Sequence, residues 1–176
     1  LMPTLPSLHY MDMNTNSLTT TLHATSEADT DFIAHRFVEC IPNSTTIALT
    51  GTLGAGKTRF VQGVAVALGG NASSITSPTF VICNQYPLSQ NVFHLDAYRI
   101  KDEDEFLELG VDEMYLSDGY TFIEWAEKFE RCLPREYIGL TIEIDSETGR
   151  TFIFSGTNKY ASVLEALTAA CPHLAG

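Results

Sequence analysis

Gly51-Thr52-Leu53-Gly54-Ala55-Gly56-Lys57-Thr58 follows G-x-x-x-x-G-K-[ST], the spacing of a phosphate-binding loop. Its glycines let the chain curl so that several N–H groups face one anion. A helix starting near Lys57 would aim its positive end at the same anion. Lys57 supplies a point charge for β- and γ-phosphates, and the Thr58 hydroxyl suits Mg²⁺. Leu53, Gly54, Ala55 and Gly56, with Lys57, Thr58 and Arg59 at the helix start, are the candidate nucleotide contacts. Arg59 points down the helix, away from the γ-phosphate.

Three further groups could add chemistry. In Phe93-His94-Leu95-Asp96-Ala97-Tyr98-Arg99, Asp96 ends an apolar strand, where a phosphate-loop enzyme places a carboxylate near Mg²⁺. His94 shares its strand face two residues away and could orient that carboxylate. A surface Asp opening a turn and a structural strand histidine are the plainer alternatives. In Thr121-Phe122-Ile123-Glu124-Trp125-Ala126-Glu127-Lys128, a second strand ends in Glu124, beside the only Trp of the chain. Strand ends converge on the ligand edge of a parallel sheet, so Glu124 is a second acid for the metal or the attacking water. Thr76-Ser77-Pro78-Thr79-Phe80 has the composition of a switch loop or of a simple connection.

Elements must bring these groups together. Thr45–Thr50 reads as a short buried strand, and Phe60, Val61, Val64, Ala65 and Leu68 as a helix face stopped by Gly69-Gly70. Leu18–Ala24 alternates as a strand, and Thr25-Ser26-Glu27-Ala28-Asp29 opens a helix that runs to Pro42. Phe80–Tyr86 and Asn91–Tyr98 predict a hairpin, and Lys101–Leu109 a short acidic helix. Tyr120–Ile123 predicts a buried strand. Tyr137–Ile144 and Arg150–Phe154 predict two strands joined by a turn, and Tyr160–Ala170 a last helix. The expected fold class is three-layer α/β, a P-loop NTPase-like mixed sheet with central parallel strands and antiparallel additions. Residues 1–17 are expected to be a flexible tail, and 18–176 a single domain.

Composition narrows the function. The net charge is −12 with only ten Lys or Arg and no basic cluster, so the chain is not expected to hold nucleic acid by its own surface. Cys40, Cys83, Cys132 and Cys171 are far apart and read as reduced thiols. No apolar run reaches the length of a membrane span, and the first residues lack the regions of a signal peptide. A cytoplasmic protein is expected.

The order G-T-L-G-A-G-K-T, S-P-T-F, H-L-D-A-Y-R, I-E-W-A-E-K resembles the bacterial TsaE (YjeE) ATPases. The resemblance runs from about Ser17 to the last helix. It implies a small ATPase of tRNA threonylcarbamoyladenosine modification, using ATP/ADP and Mg²⁺. It also implies partner proteins of the TsaD and TsaB type, with tRNA reached only through them. Carried over by motif, Thr58 and Glu124 would be Mg²⁺ ligands and Asp96 a Walker-B-like acid and further metal candidate. Lys57, Asp96 and Glu124 form the catalytic set. Thr79 would be the switch residue, and Trp125 and Glu127 would line the nucleotide. By strand position Arg150 and the Thr25-Ser26-Glu27 turn would touch it. A long N-terminal tail is the departure from the family pattern.

Two other classes stay open. A small-molecule phosphotransferase would set several arginines around two anions, and this chain has six arginines and no basic lid. A nucleotide-stabilised adaptor with negligible turnover is the non-enzyme alternative. A GTPase is disfavoured because Asn158-Lys159-Tyr160-Ala161 lacks the Asp of a guanine-reading motif, and Arg99 stands where D-x-x-G needs glycine.

Overall fold

The computed structural model describes residues 18–76, 78 and 82–176. Strands are β1 Leu18–Ala24, β2 Thr45–Thr50, β3 Cys83–Pro87, β4 Asn91–Asp96, β5 Gly119–Glu124, β6 Ile138–Ile144 and β7 Arg150–Gly156. Helices are α1 Glu27–Cys40, α2 Lys57–Ala67, α3 Glu103–Glu108, α4 Val111–Tyr115 and α5 Ala161–Ala170. The expected tail, and Ser77, Thr79, Phe80 and Val81, lie outside the described residues.

One sheet runs β1-β7-β6-β2-β5-β4-β3. Neighbours β6, β2, β5 and β4 are parallel; β3 pairs antiparallel with β4, and β7 antiparallel with β6 and β1. Central parallel strands are covered on both faces, so β2 is buried at successive positions from Thr45 to Leu49 rather than alternately. Alternate residues go to opposite layers. Ile47 and Leu49 meet Ile33, Phe37, Phe60, Val64 and Leu167 on the α1, α2 and α5 side. Ala48, Leu95 and Ile123 meet Phe106, Val111 and Phe129 on the α3 and α4 side. Three layers result, the expected fold class.

The start of α1 is closed by a capping box. Ser26 Oγ accepts from Asp29 N, and Asp29 Oδ2 accepts from Ser26 N at 3.1 Å and Thr25 N at 2.8 Å. Among the short elements with no counterpart in the sequence reading, two are longer than three residues. These are α4, launched directly from left-handed Gly110 (φ 74°), and a 3₁₀ helix over Ala126–Cys132. Each is too short to show a helical period. Among the described residues no helix is long and apolar enough to cross a membrane.

Candidate functional site

Strand β2 ends at Thr50 and α2 begins at Lys57, so the glycine loop lies at the carboxyl edge of the parallel strands. Gly54 and Gly56 adopt φ of 78° and 108°, which side chains on an L-residue rarely allow. A Cβ on either would stand in open space, on the rim of the cradle. Gly56 offers no side-chain cap, so the first N–H groups of α2 stay available to an anion.

Lys57 is 5% exposed. Its Nζ donates to Gly51 O at 2.6 Å and Thr52 O at 3.0 Å, and stands 3.9 Å from the Trp125 ring centroid. Burial pushes its pKa below the ordinary lysine value, while the charges of Glu124, Glu127 and Asp96 oppose that push. Thr58 Oγ1 donates at 2.7 Å to Glu124 Oε1, and the same oxygen lies 2.7 Å from His94 Nε2.

The two acids are register partners at the ends of β4 and β5, so both carboxylates sit on one face of the sheet. They differ in contact. Glu124 is buried and reaches Thr58; Asp96 is half-buried, and its Oδ1 accepts from Tyr98 N, capping a one-turn 3₁₀ helix at Ala97–Arg99. His94 pairs with Glu124, where the sequence suggested Asp96.

Trp125 takes φ 61° and ψ 35°, an unusual conformation for a bulky residue. This sharp turn ends β5 and lets the indole lie against Lys57 and Tyr98, whose ring is 5.0 Å away. Glu127 follows in the 3₁₀ helix, exposed and near enough for its charge to act on Lys57. Lys128 closes the arrangement: its Nζ donates to the carbonyls of Ala97, Tyr98 and Ile100, fixing the turn after Asp96. Nothing local in the sequence says which carbonyls Lys128 will meet, so its role is not legible there.

On the other flank, a recess of about 260 Å³ is lined by Ser26, Thr30, Arg59, Arg150 and Phe152 beside Gly54, Ala55 and Gly56. Arg59 is turned toward α1 and held by Asp31 and Glu27. Arg150 braces the loop: Nε donates to Ala55 O at 3.0 Å, and Nη1 to Gly149 O at 2.7 Å and Ser146 O at 3.0 Å in the β6–β7 turn. Leu53 projects from the loop tip, 85% exposed. Thr79 lies outside the described residues. A larger recess of about 510 Å³, between Thr46, Tyr115, Arg135 and Lys159, opens at the opposite edge of the sheet and contains none of these residues.

These residues fit a nucleotide and Mg²⁺. Among the described residues no group of three or more His, Cys, Asp or Glu could hold a metal alone. That suits an ion bound through one or two protein oxygens, substrate phosphates and water.

Comparison with known proteins places the chain. The family described as "Threonylcarbamoyl adenosine biosynthesis protein TsaE" matches residues 24–152. A Bacillus subtilis protein named tRNA threonylcarbamoyladenosine biosynthesis protein TsaE is 37% identical over 128 residues, 69% of this chain and 77% of that one. Its namesake in Rickettsia bellii is 33% identical over 136 residues, 77% of this chain and 92% of that one. The crystal structure of Bacillus subtilis YdiB superposes with a TM-score of 0.71 at 27% identity, covering 90% of this chain and 98% of that one. With the phosphate loop, the paired strand-end acids and these likenesses in agreement, the chain belongs to the TsaE family.

Proposed function

We propose that this protein binds ATP with Mg²⁺ at the Gly51–Thr58 loop and hydrolyses it slowly. In this reading it acts in tRNA threonylcarbamoyladenosine modification, beside transferase proteins of the TsaD and TsaB type that carry the tRNA. The observation that carries the nucleotide reading is the hydrogen bond from the Thr58 hydroxyl to Glu124, made from the first turn of α2 to the end of β5 at the mouth of a left-handed glycine loop. That bond turns the hydroxyl hydrogen away and leaves its lone pairs for a cation.

The loop N–H groups and the start of α2 would receive the phosphates. Lys57 would exchange the carbonyls of Gly51 and Thr52 for phosphate oxygens. Thr58 would bind Mg²⁺ directly, with Glu124 and Asp96 on its protein side; when bound, the ion neutralises charge on the β- and γ-phosphates. Either acid could orient the attacking water. The base would lie in the recess by Ser26, Thr30 and Phe152, on the flank away from Glu124. Thr79 is proposed as the γ-phosphate sensor.

Slow turnover is supported by how two arginines beside the loop are held. Arg59 is committed to Asp31 and Glu27, and Arg150 to backbone carbonyls, so neither is turned to the transferring phosphate. The test is phosphate release by the pure protein, then with the transferase partners and tRNA. Weak release that rises with partners is expected. Fast release indifferent to partners would overturn this reading and favour a phosphotransferase; none under either condition would favour the adaptor.

A further inference from the structure

His94 is fully buried, yet its imidazole is only half partnered. Nε2 meets Glu124 Oε1 at 2.7 Å, while Nδ1 has no hydrogen-bond partner among the described residues. A carboxylate oxygen only accepts, so Nε2 must carry the ring proton. The other tautomer would bury an unmatched N–H and turn a lone pair on Glu124. Even as it stands, the site holds an orphaned buried acceptor, which is destabilising. An apolar side chain in this interior position, between β3 and β5, would avoid that cost.

The gain must therefore lie at Glu124. His94 sits in register opposite Phe122, one pleat back from the Asp96–Glu124 pair, and reaches Glu124 diagonally on the same face. Glu124 Oε1 thus has two donors, the Thr58 hydroxyl and the imidazole. A glutamate has three rotatable bonds, and confining them costs rotamer entropy. The imidazole comes from a strand and cannot itself drift.

We propose that His94 is a positioning residue that locks Glu124 in the rotamer accepting the Thr58 hydroxyl, and thereby prepares Thr58 to bind Mg²⁺. This rests on the nucleotide reading above. The histidine acts as an outer partner of the metal site and touches neither ion nor nucleotide.

The experiment compares ADP affinity in EDTA and in Mg²⁺. Wild-type protein should bind more tightly with the metal. His94→Leu should keep its affinity in EDTA but lose ~10–100-fold of the gain from Mg²⁺, as removal of such outer partners does. His94→Gln places an amide N–H where Nε2 was and should keep the gain; His94→Asn, one bond shorter, should lose it and serves if the leucine variant does not fold. In a Glu124→Ala background, where the acceptor of both bonds is gone, His94→Leu should remove nothing more. In nucleotide-free wild-type protein, ¹⁵N NMR should find the ring proton on Nε2. An undiminished Mg²⁺ gain in His94→Leu, a second full loss in the Glu124→Ala background, or a proton on Nδ1 would overturn the role of His94. Wild-type protein that gains nothing from Mg²⁺, or binds no ADP, would instead overturn the reading of the site itself.

Discussion

Lys57 is stored against its own loop, bound to two carbonyls and covered by an indole. Its pKa is lowered because burial disfavours the ammonium. Below that lowered value the charged side chain costs stability. As pH rises through it toward about 10.4, the unfolded chain holds more protons and the cost disappears. Binding runs the other way, because phosphates need the ammonium. ADP affinity should therefore begin to fall at a lower pH than an ordinary lysine would give, with proton uptake on binding; calorimetry in buffers of different ionisation heat would measure both. The acids make a second prediction. Asp96→Asn and Glu124→Gln should each cut phosphate release by on the order of a hundredfold, while ADP without metal still binds. Release at the wild-type rate from both would make the pair structural.

Helix α2 carries the loop and α1 flanks it, and each has a point where it can be weakened. Thr25 N–H is the main cause holding the Asp29 carboxyl below the usual range, with Thr25 and Ser26 side-chain bonds adding to it. Its contribution is full above about pH 3.9 and is lost as pH falls through the lowered value. Asp29→Asn should cost about 0.5–1 kcal/mol at neutral pH, kept small by surrounding solvent, and nothing in strong acid. Denaturant melts at the two pH values give the comparison. Helix α2 lies so close to α1 that a Cβ on Gly63 would stand 2.8 Å from the Ala34 Cβ. Gly63→Ala should destabilise the fold by about 1–3 kcal/mol despite the better helix propensity of alanine. Since α2 begins with Lys57 and Thr58, nucleotide affinity should fall with it.

At the scale of the molecule, the C-terminal ends of β2, β5 and β4 lie side by side and place the loop, Glu124 and Asp96 on one edge. The surrounding surface belongs to a chain of net charge −12. Complementary charge would steer such a surface onto basic partners and would be screened as salt rises. Partner-stimulated phosphate release should therefore weaken steadily with ionic strength, while basal release changes little. Stimulation that persists unchanged at about 1 M salt, where screening acts within about 3 Å, would mean that docking is apolar.

Local chemistry was readable along the chain. The β2–loop–α2 unit, the Ser26–Asp29 cap and the β6–β7 hairpin each rest on periodicity, glycines and turn residues within a few positions of one another, so neighbouring residues suffice to specify them. The identities of the paired acids were readable too, as strand-end carboxylates. Their division of labour was not. Thr58 meets Glu124 across 66 residues, and Arg150 meets Ala55 across 95. Those contacts depend on β5 lying beside β2 and on β7 folding back along β6, and strand order is set by packing of the whole sheet. The left-handed turn at Trp125 and the partner of His94 were hidden for the same reason. Each is held by groups from other strands, and no local propensity favours it.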